Sequence, residues 1–119
     1  MTHARLATGR AAETLVCEYL RDAGFVILEQ NARVGRLEID IVARRGSMLV
    51  VCEVRARRGR VGFSPAETID SRKVARVRRA AAAWLAHHRP GTRELRFDAA
   101  AVTYDARGHA HLDYFEEAF

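Results

Sequence analysis

Two runs of alternating apolar residues, Leu37 to Arg44 and Met48 to Arg57, flank Arg45-Gly46-Ser47, and this arrangement constrains the chain more than any other. Leu37, Ile39, Ile41 and Ala43 alternate with Glu38, Asp40 and Val42, the period of a strand whose side chains point to opposite faces in turn. A two-residue loop with glycine first matches the twist of an antiparallel pair. Closing the hairpin on Gly46-Ser47 pairs Arg45 with Met48, Arg44 with Leu49 and Val42 with Val51; counting on sets Asp40 opposite Glu53 and Glu38 opposite Arg55. A three-residue loop would put Asp40 out of line with Glu53. In the two-residue register these four polar residues share one face, and Ile39, Ile41, Cys52 and Val54 share the other.

The rest of the chain supplies partners for this hairpin. From Gly9 to Asp22, Ala12, Leu15, Val16, Tyr19 and Leu20 recur at helical spacing, with Gly24 as a C-terminal cap. Phe25 to Gln30 reads as a strand ending at Asn31. Ser64-Pro65-Ala66-Glu67 has the composition of a helix start with a capping box. Its continuation places Val74, Val77, Ala81, Trp84 and Leu85 on one face and Arg72, Lys73, Arg76, Arg78 and Arg79 around the rest, until Pro90-Gly91; a break falls near Asp70-Ser71. Leu95 to Tyr104 and Ala110 to Phe115 read as two further strands, so the expected order is αβββαββ in one α/β domain over residues 1–119.

Charge narrows the partner. With Lys+Arg 20 against Asp+Glu 15, a net charge of +5 and a pI near 10.0, the chain favours a polyanion: nucleic acid first, an anionic membrane surface second. Lys73 is the only lysine. Arginine grips phosphate in a planar fork, although a compositional bias accompanying the abundant alanine accounts for the preference equally well. Arg57, Arg58 and Arg60, around the Arg57 to Gly62 bend, are the loop cations placed to reach a phosphate backbone. Cys17 and Cys52 sit in apolar patterns as core residues, and no segment has the run of about 20 apolar residues that a membrane span needs, so a cytoplasmic protein is expected.

Two carboxylates directly opposite one another, with Cβ atoms about 5 Å apart, destabilise a strand pair unless a positive charge lies between them. A Mg²⁺ ion suits that position, since it is commonly held by one or two carboxylates, several waters and substrate phosphate oxygens. Arg55 and Arg57 follow Glu53 along the same strand face as cations for developing negative charge. The plain alternative is a solvent-facing sheet, whose charges alternate with apolar residues for no chemical reason. Against it, Val42, Leu49 and Val51 flank the acidic face. Asp98 is expected near the sheet rim, Trp84 in packing, and His87, His88, His109 and His111 on the surface.

Gly9-Arg10-Ala11-Ala12-Glu13, Tyr19-Leu20, Gly24-Phe25, Asn31, Glu38-Ile39-Asp40, Glu53-Val54-Arg55, Lys73, Trp84-Leu85 and Arg96-Phe97-Asp98 together resemble the YraN-like family across nearly the whole chain. That family is similar in turn to archaeal Holliday junction resolvases and to the PD-(D/E)XK, or restriction-endonuclease-like, fold. The resemblance implies a central mixed sheet flanked by helices, with Asp40 and Glu53 as ligands of Mg²⁺ or Mn²⁺ and Glu13 completing the site. It implies cleavage of phosphodiester bonds in DNA, including branched or structured DNA, and by analogy a homodimer. Lys73 stands where the family tends to place a lysine, and with Arg76 on the same helix it is expected to contact nucleic acid. Two departures stand out: Leu37-Glu38 replaces a frequent Gly-Glu, and Arg55 occupies the motif's lysine position. Arginine stays charged, so it can clamp charge but not take a proton. The alternative expectation is therefore a nuclease-like module that binds nucleic acid and cleaves weakly or not at all; a basic scaffold for another protein is a third.

Overall fold

The computed structural model describes residues 2–59, 64 and 69–119, with side chains from residue 9 onward. In chain order the elements are α1 (Thr2–Asp22), β1 (Val26–Val34), β2 (Leu37–Arg45), β3 (Met48–Arg58), α2 (Ser71–His88), β4 (Glu94–Tyr104) and β5 (Ala110–Phe115). The strands form one mixed sheet in the order β1-β2-β3-β4-β5, antiparallel except for the parallel pair β3 and β4. No helix among the described residues is long and apolar enough to cross a membrane.

Each helix covers one face of the sheet. Ala12, Val16, Cys17 and Leu20 form the buried stripe of α1, packed on Ile41, Ala43, Val50, Cys52, Ala100 and Val102. On the opposite face Val77, Ala80, Ala81 and Trp84 of α2 pack on Ile39, Val42, Leu49, Val51 and Ala99. Each fully buried Val, Leu or Ile contributes about 1.5–3 kcal/mol, so these two stripes fix both helices on the sheet. Cys17 and Cys52 are buried free thiols, as their apolar surroundings imply. Trp84 packs and donates its indole N–H to Glu29 Oε1 at 2.9 Å.

Two boundaries and the place of Asp98 differ from the sequence expectation. α1 begins at Thr2 rather than Gly9. β1 runs on through Asn31 to Val34, because Asn31 adopts a left-handed φ of 53° instead of ending the strand. A helix running on from a capping box at Ser64 and Glu67 falls partly on residues 65–68, which lie outside the described residues. The described helix starts at Ser71, after Asp70 with extended backbone (φ −94°, ψ 170°), whose carboxylate accepts the Lys73 N–H at 2.9 Å. Asp98, expected near a rim, is fully buried. It accepts two hydrogen bonds from Arg96, one from the Tyr114 hydroxyl and one from the Glu117 N–H.

The expected hairpin register is observed where it is most regular, with Arg45 opposite Met48, Arg44 opposite Leu49, Val42 opposite Val51 and Ile41 opposite Cys52. Pairing stops there. Asp40 with Glu53 and Glu38 with Arg55 are not ladder pairs; the Asp40 carboxylate instead accepts the Val54 N–H at 2.8 Å. Strict alternation is lost at the same point, since Ile41 packs under α1 whereas Ile39 packs with Val42 on the α2 side. The neighbouring strand supplies the reason. Gln30 and Ala32 pair with Ile41 and Ile39, and left-handed Asn31 lies between them. Gln30 and Asn31 consequently both reach α1, donating to Cys17 Sγ and Glu13 Oε1.

Candidate functional site

A cleft lies at the end of the sheet where the β2–β3 pairing has stopped. The β1–β2 turn at Gly35-Arg36, the far end of β3 and the N-terminus of α2 all lie at that end, because β2 runs antiparallel to β3 and α2 begins the crossover from β3 to its parallel neighbour β4. The cleft holds about 430 Å³ and is lined by Arg36, Leu37, Glu38, Asp40, Glu53, Lys73, Arg76 and Val77.

Glu53 is the deepest polar group, only 4% exposed. Its Oε1 meets the Lys73 ammonium at 3.1 Å, and its Oε2 is buried with no hydrogen-bond partner. An unpartnered buried carboxylate oxygen costs about 1–3 kcal/mol or more, a cost that a proton on the carboxyl, a water or a bound ion relieves. Burial, then the charge of Asp40, raises the Glu53 pKa to about 7 against the pull of Lys73. Asp40 is also raised, first by burial and then by Glu38, while the Val54 N–H and Lys73 oppose the shift. These are the signs of two carboxyls kept close in a partly dry site with too little positive charge.

The expected residues separate into three groups. Asp40, Glu53, Lys73 and Arg76 come together at the cleft. Glu13 lies beside it on α1: burial raises its pKa, as do the Asp40 and Glu38 charges, but its Oε1 accepts from Asn31 Nδ2 at 2.9 Å. Among the described residues, no three His, Cys, Asp or Glu side chains converge as a ready metal cluster. Arg55 and Arg58 are exposed on β3, Arg57 is half-buried there, and none of the three lines the cleft. Arg58 and Arg57 are strand residues rather than loop residues; Arg60 lies outside the described residues. Of the lining residues, Arg36 was not singled out from the sequence, and Val77 was read only as part of the apolar helix face. Gly35-Arg36 carried the readable signal for the first: a glycine with φ 64° makes a tight turn, and that turn caps the end of the strand that bears Asp40.

The pair therefore offers a divalent cation two carboxylate ligands, one with a spare buried oxygen, and room for waters and a phosphate oxygen. That donor set fits Mg²⁺ or Mn²⁺, which are held by one or two carboxylates rather than by a full protein cage.

Residues 12–102, which include Glu13, Asp40, Glu53 and Lys73, match the uncharacterised protein family UPF0102. The chain belongs to that family. It is 42% identical to a UPF0102 protein of Acidothermus cellulolyticus, over 98% of this chain and 96% of the relative. A UPF0102 protein of Sorangium cellulosum is 44% identical over 98% of this chain and 83% of its own length. Another from Streptomyces coelicolor is also 44% identical, over 89% and 83%. Similarity to these UPF0102 proteins runs through every element that lines the cleft, and none of their names carries an activity.

Proposed function

We propose that this UPF0102 protein is a divalent-metal-dependent endonuclease of DNA, branched or structured DNA included, with Asp40 and Glu53 as metal ligands. The observation that carries this reading is the unpartnered, buried Glu53 Oε2 beside Asp40, at the floor of a cleft whose remaining charges include Arg36, Lys73 and Arg76. Acidic floor and basic walls suit a phosphodiester: the walls hold its oxygens and the floor holds the cation that those oxygens share. A bound Mg²⁺ supplies charge neutralisation and a more acidic water. The chain's own part is binding and orientation. Asp40 is fixed by the Val54 N–H, which occupies one of its oxygens. Val77 and Leu37 supply apolar lining to the cleft. Lys73 and Arg76 face the developing negative charge from α2, the place that the motif usually gives to residue 55.

Binding without hydrolysis is the second reading, favoured by Arg55: its guanidinium does not lose a proton, and it does not line the cleft. One experiment separates the two. The purified chain is incubated with end-labelled linear duplex, flap and four-way-junction DNA in Mg²⁺ or Mn²⁺, alongside Asp40→Ala and Glu53→Ala. The nuclease reading expects cleavage that falls at least about a hundredfold in both variants, the scale of losing a charge-stabilising group. Cleavage that persists in both sinks it. Binding without cleavage, weakening steeply with salt, selects the second reading; absent or salt-insensitive binding removes both.

A further inference from the structure

Lys73 is the chain's only lysine, and it sits where local helix energetics disfavour it. The first turn of α2 carries Arg72 and Lys73 and no acidic residue, although the N-terminal end of a helix dipole repels cations by about 0.3–1 kcal/mol each. The Asp70 carboxylate at the N-cap offsets part of that repulsion. The ammonium lies 3.1 Å from Glu53 Oε1, with the Glu53 side chain buried and the Lys73 side chain 42% exposed. The tip of Lys73 is thus paired while much of its side chain is exposed. Its compact charge satisfies one oxygen of Glu53 and leaves Oε2 without a partner. Lys73 therefore half-neutralises a pair of carboxyls whose full neutralisation needs a second positive charge.

We infer that Lys73 is an exchangeable placeholder for the divalent cation: it holds Glu53 in the metal-free protein, and it is displaced by the metal onto a phosphate oxygen of the bound strand. This rests on the metal reading above and deepens it. The ammonium and the metal compete for one carboxylate, so Lys73 weakens metal binding when no phosphate is there to receive it. When a phosphate is present the ammonium has somewhere to go, and the competition becomes cooperation. By linkage, the metal then tightens the strand by the same factor as the strand tightens the metal. The flexible four-carbon stem and rotatable donors of lysine suit a transfer between two partners over a short distance, whereas the rigid fork of an arginine holds one geometry.

The test is calorimetric titration of Mn²⁺ into metal-free full-length protein at pH 8, first without nucleic acid and then with a 12-nucleotide single strand. Wild type is compared with Lys73→Met, Lys73→Arg and Asp40→Ala, each checked for an intact thermal transition. Without nucleic acid, Lys73→Met is expected to bind Mn²⁺ at least tenfold tighter than wild type. Lys73→Arg, which keeps the charge, should stay within about threefold of it, and Asp40→Ala should lose binding. With the strand present, the wild-type gain in Mn²⁺ affinity should exceed that of Lys73→Met. Equal or weaker Mn²⁺ binding by Lys73→Met overturns the placeholder while leaving the metal site standing. No Mn²⁺ binding by wild type or either Lys73 variant overturns the metal reading and this inference with it.

Discussion

Replacing Glu53 by glutamine keeps the shape of the side chain and removes its charge, so it isolates what ionising this carboxyl costs the fold. The pKa is 4.5 in the unfolded reference and about 7 in the folded protein. Between those values the native state binds the extra proton, and stability must fall as pH rises from about 4.5 to about 7. A gap of about 2.5 units at about 1.36 kcal/mol each is about 3 kcal/mol, fully expressed above pH 7 and reduced to about 1 kcal/mol at pH 5. Glu53→Gln escapes that penalty. Relative to wild type in metal-free buffer, the variant should therefore gain about 2 kcal/mol on going from pH 5 to pH 8. Urea unfolding followed by far-ultraviolet circular dichroism reads this directly. With a slope of about 1.5 kcal/mol/M, the difference between the two midpoints should widen by more than 1 M. Constant effects of the amide, including its loss of the Lys73 ion pair's geometry, cancel in the comparison across pH. Saturating Mn²⁺ should close the gap from the wild-type side, since a ligand at a hundred times its Kd adds about 2.7 kcal/mol to the state that binds it. A difference between variant and wild type that is flat from pH 5 to pH 8 would refute the account of Glu53 as a buried, under-neutralised acid.

Asp98→Ala should lower stability by about 3–5 kcal/mol in the same unfolding assay, because it strands Arg96, whose side chain is 10% exposed, without its bidentate partner. A loss below about 1 kcal/mol would mean that the arginine finds water or Glu116 instead. Gly24→Ala should cost more than about 1 kcal/mol: Gly24 ends α1 at φ +91°, and an added Cβ would meet Arg45 Cδ at 3.3 Å. A neutral result would show that this turn can relax. If strands bind along the cleft, Arg36→Ala and Arg76→Ala should each reduce the slope of log affinity against log salt by about 1 in a fluorescence-anisotropy titration, without changing sequence preference. Unchanged slopes would place the phosphates elsewhere.

Local signals were the legible ones. Gly46-Ser47 set the register from Arg45/Met48 to Val42/Val51, and helical spacing from Ala12 to Leu20 marked α1. Asp40 and Glu53 could thus be brought to one place from the sequence, although by a wrong route: extrapolating an ideal ladder made them a cross-strand pair. The real ladder ends one step earlier because Asn31, two strands away from Glu53, takes a left-handed φ that no hydrophobic pattern announces. The expected break near Asp70-Ser71 is where the described helix begins. Ser64-Pro65-Ala66-Glu67 is a good helix signal, yet the cap that the described helix uses is Asp70, bonded to the Lys73 N–H. Lys73 reaches the Glu53 carboxyl from another element, and only tertiary structure reports that contact.

The parallel pairing of β3 with β4 also gives the site a history in time. Asp40 and Glu53 belong to a hairpin whose partners are near in sequence, while β4 pairs with β3 across a crossover, Met48 opposite Glu94. Local pairings close early and distant ones late, since the longer loop has more entropy to lose. The two carboxyls should meet before α2 has docked to deliver Lys73. Completion of the crossover is then the step that sets the first cation against their repulsion.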